Sequence, residues 1–438
     1  MLNFKKKKIN VLFECNSCRD YAFAKVISQS KILNKLYLFG ENKNASKYGE
    51  FVSLEKNDYV DFIKTASIDL FISFSEKNSL LGLIDFFKYQ LKIPTIGMTK
   101  RWFYLEAFKN KAKKFMQKNE IKTPEYYDVN NREDLKVAID KFGFPLVLKV
   151  NTLSSGFGVY IVNDYNEAME VADNVAARLE YEDKQFFNSE FDEQLHIVAE
   201  EYVNGIEYSI VSLYDGKKLL TFLPIVDYKR LYDGNLGQNT GGLGGYMPAD
   251  LTQKHKKMVL KYVQQLEKSL KKSKAKFTGF ITSGILFRDD KLYVLEFNMR
   301  PGDTEGQILF SHIKNDLLEL LYKAANGKLN NTKINYKNNK TALVVLVNAN
   351  YMNKKYLLPN ETENAVASKI ELQNLRENAE VFLDNTIYYD EEHKIAYSQE
   401  AERLLNICVN SKNSFNDLYE QISSIKCENV YYRKDIGK

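Results

Sequence analysis

The sequence predicts a mixed α/β and α+β protein in three parts, and three observations carry that expectation. Strand-like and helix-like runs alternate through the first hundred residues. The texture turns to strand, loop, strand from Phe144, and an Asn- and Lys-rich stretch at 327–340 precedes a last series of short mixed elements. With 438 residues, 44% hydrophobic and 27% charged, the chain has material for several cores and an ordinary globular make-up. Its 62 Lys+Arg against 57 Asp+Glu give +5 spread along the chain, so charge alone offers no case for nucleic acid. No run approaches a membrane span, and the apolar segment after residues 5–8 is interrupted at Glu14, too early for a signal-peptide core. The cytoplasm is the expected compartment.

Taken in order, residues 9–13, 35–39 and 69–74 read as apolar strands, and 21–30 and 80–91 as the helices between and after them, an alternation that implies a doubly wound parallel domain. A basic amphipathic helix is expected over 101–119, with Lys109 and Lys113 one turn apart. Strands at 145–150 and 159–162 flank the small-residue loop 151–158, and a helix at 166–179 leads into a polar connector, 181–193. Strands resume at 197–203 and 207–214, followed by a glycine-rich stretch at 234–245 and a helix at 252–272. A hairpin over 279–287 and 291–297 and a helix at 317–325 precede the break, and 341–438 forms a small α+β unit. Of four cysteines, Cys15 and Cys18 form a Cys-x-x-Cys that opens a helix after a strand, which keeps redox chemistry open; structural thiols are favoured, and zinc lacks further ligands nearby.

The densest chemistry lies in the strand ending Leu295-Glu-Phe-Asn-Met-Arg300. Glu296, Asn298 and Arg300 leave it at period two on one face. A carboxylate beside an amide oxygen suits a hard cation such as Mg²⁺, and the guanidinium beyond suits a phosphate. On those three residues alone a solvated strand face is the commoner explanation, but Gly302, Asp303 and Glu305 add carboxylates and a turn at once. Lys149 ends an apolar strand before Ser154-Ser155-Gly156-Phe157-Gly158, a phosphate clamp or simply a tight turn. Glu200-Glu201-Tyr202-Val203 with Glu207 could hold an adenine edge and a ribose diol, or be surface glutamates on a hairpin. After Asp227-Tyr228-Lys229-Arg230, five glycines fall within 237–245 beside Asn239 and Thr240, an entropic penalty more easily understood if the loop is shaped around a ligand.

In this order these residues resemble the ATP-grasp superfamily, and within it the phosphoribosylamine–glycine ligase family. Asp227-Tyr-Lys-Arg230 with Asn239-Thr-Gly-Gly242 lies close to the family's Asp-His-Lys-Arg and Asn-Thr-Gly-Gly. Glu296-Phe-Asn-Met-Arg-Pro-Gly-Asp-Thr-Glu305 lies close to Glu-Phe-Asn-x-Arg-Phe-Gly-Asp-Pro-Glu. Leu105-Glu-x-x-Lys109, Glu200 to Glu207 and Tyr432-Arg-Lys-Asp-Ile-Gly437 fall where the family has them. The likeness implies an N-terminal pre-ATP-grasp domain (1–104), an ATP-grasp domain (105–330, lid about 119–195) and a C-terminal α+β domain (331–438). It implies an ATP-dependent carboxylate–amine ligase acting through an acyl phosphate, with ATP and Mg²⁺ (or Mn²⁺) as cofactors and small-molecule carboxylate and amine substrates. No nucleic acid or membrane partner is implied, and the chain would be a monomer or small homo-oligomer. By the same carry-over Glu296 and Asn298 hold metal. Lys109, Lys149, Ser155, Gly156, Glu200, Tyr202, Val203 and Glu207 face the nucleotide. Arg300, Lys149, Asp227 and Lys229 serve the chemistry. Arg19, Glu76, Asn239, Thr240, Gly241, Gly242, Asp303 and Glu305 face substrate.

The departures concentrate in the first domain. Where the family has a glycine-rich loop suited to a phosphate, this chain has Cys15-Asn-Ser-Cys-Arg-Asp-Tyr-Ala22, and the family's Gly-Pro-Glu is Phe74-Ser-Glu76. The family's histidine is Tyr228, and its second lid lysine is Phe157. Two substrate readings compete: a divergent phosphoribosylamine–glycine ligase of purine biosynthesis, or a relative joining a different carboxylate to a different amine, which the loss of glycines favours. A non-catalytic ATP-binding protein is a third reading.

Overall fold

A computed structural model describes residues 8–54, 58–152, 158–186, 195–351 and 366–438. The first domain is a five-stranded parallel sheet in the order Glu50–Phe51, Leu33–Phe39, Ile9–Glu14, Leu70–Ile72, Thr95–Ile96. The chain winds outward from Ile9–Glu14 to one side and then returns to the other, so the direction of winding reverses beside that central strand. Ligands gather at the carboxyl ends of strands flanking such a reversal. Here those ends lead into residues 15–19 and 74–76.

The second body is a ten-stranded sheet. Its main path is antiparallel and runs Lys291–Asn298, Gly279–Arg288, Glu207–Tyr214, Ile225–Asp227, Gly244–Met247, Lys340–Asn348, Arg403–Ser411, Ala379–Leu383. It continues across the Asn- and Lys-rich stretch, because Gly244–Met247 pairs with Lys340–Asn348. Val344, Leu346 and Ile407 pack in one core with Phe13, Phe23 and Phe310. A four-stranded antiparallel lid sheet, ordered Tyr126–Val129, Ile197–Glu201, Leu146–Val150, Val159–Val162, carries its own small core of Leu135, Leu148, Val162 and Val171. Among the described residues no helix is long and apolar enough to cross a membrane.

Four local expectations are corrected. The helix expected at 101–119 is two helices, Lys100–Ala107 and Lys109–Lys118, broken at Phe108 with extended φ −127° and ψ 104°. The second begins where Asn151 of the lid loop accepts the Asn110 N–H at 2.8 Å, a tertiary cap invisible to local spacing. The helix expected at 80–91 is three short pieces, Glu76–Leu80, Leu83–Asp85 and Phe86–Gln90, interrupted at Gly82 with φ +80°. The helix after the lid hairpin, Tyr165–Phe186, extends into the stretch expected to be a connector, and 187–193 lies outside the described residues. A helix not anticipated, Asp303–His312, follows directly on Pro301 and Gly302.

Candidate active site

A cavity of about 1400 Å³ lies where the lid sheet, the long sheet and the carboxyl ends of the parallel sheet meet. Its lid-side lysines come from two elements. Lys109 and Lys113 sit one turn apart on Lys109–Lys118, and Lys149 is the last residue but one of the strand Leu146–Val150. Glu200 on the adjacent lid strand bridges two of them, 2.9 Å from Lys113 Nζ and 3.0 Å from Lys149 Nζ, with all three side chains buried. Lys113 also donates to Thr123 Oγ1 at 2.6 Å. Burial pushes Lys113 down to about 8 despite that carboxylate, and lowers Lys109, whose Nζ is 3.5 Å from the Thr152 carbonyl. Glu200 lines the cavity, and in it both carboxylate oxygens serve lysines. Lys113, unassigned from sequence, joins the cluster, and its one-turn spacing from Lys109 was the available signal.

Opposite them, Lys229 lies between Glu207, with which it makes a very short ion pair, and Glu296, 3.2 Å away. Lys229 is the largest influence holding Glu296 far below the usual carboxylate range, with burial opposing it. Burial alone would lower Lys229, but Glu207, Glu296 and Asp227 outweigh it and hold the ammonium well above its ordinary value. Asn298 lies two residues along the same strand, and both line the cavity. An anionic carboxylate and an amide oxygen at this spacing, screened by a lysine that has a second carboxylate to turn to, fit a Mg²⁺ site.

Arg300 is held by carboxylates from both domains, Glu76 at 2.7 Å and Glu106 at 3.2 Å from Nε. Glu106 also accepts the Met299 N–H at 2.5 Å, and burial pushes its carboxyl up to about 7. Glu106 lies in the Leu105-Glu-x-x-Lys109 motif, whose local spacing carries no signal for a partner as distant as Arg300.

The glycine-rich loop wraps Lys229. The Thr240 N–H and Oγ1 both donate to the Lys229 carbonyl, at 2.7 and 2.8 Å, and the Gly242 N–H donates to Thr240 Oγ1 at 3.0 Å. Gly242 has φ +96°, and a β-carbon there would lie 2.5 Å from Thr304 Oγ1 and 2.8 Å from Asp227 Oδ1, both buried without a hydrogen-bond partner among the described residues. Burial, then Glu305, raises the Asp227 carboxyl well above its usual range. Asn239 and Gly241 line the cavity. Tyr202 and Val203 line it from the crossing between lid and long sheet, while Ser155 and Gly156, like Phe157, lie outside the described residues.

Three residues expected to face substrate are engaged internally. Arg19 Nε bonds Asp20 at 2.8 Å, Nη1 donates to the Pro301 carbonyl at 3.1 Å, and Nη2 reaches the Phe74 carbonyl. Asp303 takes Arg403 Nη1 at 2.6 Å, and Arg403 also donates to the Gly242 carbonyl. Glu305 accepts Ser209 Oγ at 2.7 Å and fills the space where a Gly302 β-carbon would stand. Buried polar groups demand such partners, so these side chains brace the loops around the cavity.

The loop after Ile9–Glu14 shows the sharpest departure. Each of four successive N–H groups donates to a carboxylate of this chain: Asn16 and Ser17 to Asp20 Oδ2 (2.9 and 3.2 Å), Cys18 to Asp384 Oδ2 (3.3 Å) and Arg19 to Asp303 Oδ1 (3.0 Å). The donors that could receive an anion at a helix start are already taken by carboxyl oxygens, of which burial pushes Asp384 up to about 7. Cys15 and Cys18 are buried, with burial driving both thiols well above their usual range, and Cys18 Sγ donates to the Phe382 carbonyl. They are inert packing thiols.

Residues 107–306 match the family described as phosphoribosylglycinamide synthetase, ATP-grasp (A) domain. A phosphoribosylamine–glycine ligase of Clostridium acetobutylicum is 30% identical over 429 residues, covering 96% of this chain and 97% of the relative. That of Fusobacterium nucleatum is 28% identical over 98% of both. Among solved structures, the phosphoribosylamine–glycine ligase of Thermotoga maritima aligns with a TM-score of 0.76 at 21% identity, covering 98% of this chain and all of that one. A biotin carboxylase of Campylobacter jejuni aligns at 0.70 and 13%, over 98% and 93%.

Proposed function

The chain belongs to the phosphoribosylamine–glycine ligase family of ATP-grasp enzymes, ADP-forming carbon–nitrogen ligases, and we propose that it joins a carboxylate to an amine that is not recognised through a phosphate. ATP would be held between lid and long sheet, where Lys109, Lys149 and Lys229 would neutralise its phosphates. Glu207 takes the ribose, and Tyr202 and Val203 bound the base. Mg²⁺, or Mn²⁺, held by Glu296 and Asn298, would supply charge neutralisation along the phosphates.

A carboxylate oxygen attacks the γ-phosphorus and ADP leaves. Arg300, kept in place by Glu106 and Glu76, stabilises charge on the transferred group. The amine nitrogen then attacks the acyl carbon and phosphate departs. Asp227, which lines the cavity beside Lys229, takes the amine's proton in its ionised form, where burial makes it a stronger base than a free carboxylate. Asn239, Thr240, Gly241 and the carboxylate end of Glu76, which line the cavity, face the substrate, while Gly242 lets the loop pack closely on Asp227 and Thr304. Arg19, Asp303 and Glu305 hold those loops in place.

The observation that carries the altered amine is the filling of four N–H donors by Asp20, Asp303 and Asp384. A phosphate arriving there would have to displace carboxylates and meet their charge. Glu14, buried at the end of the same strand and held by Ser73, Asn78 and Asn16, adds to the acidic surroundings. The test is Mg-dependent ADP release with panels of acids and amines, with hydroxylamine present to trap an acyl phosphate as a hydroxamate. Acid-dependent hydroxamate formation is expected. Nucleotide binding with no acid-stimulated ADP release would favour a non-catalytic binder and end the proposal.

A further inference from the structure

Four arginines line the cavity, and three of them have carboxylate partners: Arg19 with Asp20, Arg300 with Glu76 and Glu106, and Arg403 with Asp303. The fourth, Arg230, has no carboxylate and no side-chain hydrogen bond among the described residues, although it is half-buried. A partly buried guanidinium without a counter-ion is poised to gain from an arriving anion. Its backbone is fixed from two sides. Arg230 pairs with Asn239 across the hairpin of Arg230–Tyr232 and Leu236–Asn239, and the buried Arg433 donates to its carbonyl at 2.8 Å while bonding Asn235 and Asp435. The second hairpin strand lies against the lid strand Val159–Val162, which bounds the lid side of the cavity.

The lysines nearby are largely neutralised already. Lys113 and Lys149 share Glu200, and Lys229 lies between Glu207 and Glu296. Among the described residues Lys109 is the one lysine here without a carboxylate in ion-pair contact, so a polyphosphate entering between lid and long sheet needs cations beyond these, and Arg230 lines the same cavity. We infer that Arg230 is a phosphate-binding residue that engages the nucleotide's phosphate chain through its guanidinium. The assignment rests on the nucleotide site proposed above. Burial lowers the Arg230 guanidinium, with Tyr202 the nearest opposing influence, in keeping with a cation that has no anion beside it in the free protein.

The experiment is calorimetric titration of wild type, Arg230→Gln and Arg230→Lys with Mg-ADP and with adenosine. Arg230→Gln should weaken ADP by about tenfold or more, the loss of one charge-assisted hydrogen bond, and leave adenosine unchanged; Arg230→Lys should recover part of the loss. Thermal melting and the unchanged adenosine affinity exclude a folding defect. Unchanged ADP affinity in Arg230→Gln, or an equal loss for ADP and adenosine, overturns the assignment alone, as does a raised KM for the carboxylic acid with ADP unaffected. A wild-type protein that binds no ADP would overturn the nucleotide site and this assignment together.

Discussion

Replacing Glu200 by Gln removes the one carboxylate that serves both Lys113 and Lys149. The three side chains are 2%, 1% and 6% exposed, so the two ammonium groups cannot turn to water without opening the lid. Breaking a buried pair by deleting one partner costs roughly 3–5 kcal/mol, because the stranded charge must lose its proton or drag solvent inward. At about 2–4 °C per kcal/mol, the melting transition of the lid and long sheet should fall by about 6–20 °C. Lys113 already sits near 8 in the folded protein against 10.5 in the open chain. Between those values the unfolded chain binds a proton that the folded one lacks, so stability rises with pH across that window. The variant should regain stability toward pH 10, where a lysine can enter the fold neutral. Adding Lys113→Met should recover part of the loss, since the two sites are coupled. Calorimetry of the single and double variants at pH 7 and 9.5 makes the measurement. A Glu200→Gln protein melting within 2 °C (about 0.5–1 kcal/mol) of wild type at pH 7 would refute the counter-ion role.

Further outcomes follow from the same geometry. Gly242→Ala forces a β-carbon toward Thr304 and Asp227 at φ +96°, and should cost at least about 2 kcal/mol in denaturant unfolding. Tyr228→Phe removes the acceptor of the Gly437 N–H, 2.9 Å away, and should cost about 1 kcal/mol with ADP affinity unchanged. Burial holds His312 down to about 4. The unfolded chain therefore gains its proton first as pH falls below 6.5, and stability should decline from there to about 4 by at most ~1.4 kcal/mol per unit; His312→Gln should flatten that limb. Glu296→Gln should abolish the Mg²⁺ dependence of ADP binding while leaving adenosine binding intact, as paired titrations with and without metal will register.

Much of the cavity wall was legible because its signals are local. The period-two face of Glu296, Asn298 and Arg300, the lysine at a strand end and the glycines around Asn239 each declare themselves within ten residues. What escaped lies at long range. Asp384 reaches Cys18 across 366 positions and Arg403 reaches Asp303 across 100, pairings that no spacing encodes. The same holds for the helix break at Phe108, which a lid asparagine caps, and for the sheet that joins Gly244–Met247 to Lys340–Asn348. The loss of glycines at 15–18 pointed to a changed first domain. Only the fold revealed that carboxylates had taken over the donors.

The most direct measurement compares kcat/KM for phosphoribosylamine with glycine against unphosphorylated primary amines across a panel of acids, in coupled ADP release. A preference for an unphosphorylated amine is expected, and Asp303→Asn, which withdraws the charge that accepts the Arg19 N–H, should raise the weak turnover with the phosphorylated amine. Robust turnover of wild type with phosphoribosylamine and glycine, undiminished beside every other pair, would contradict the account.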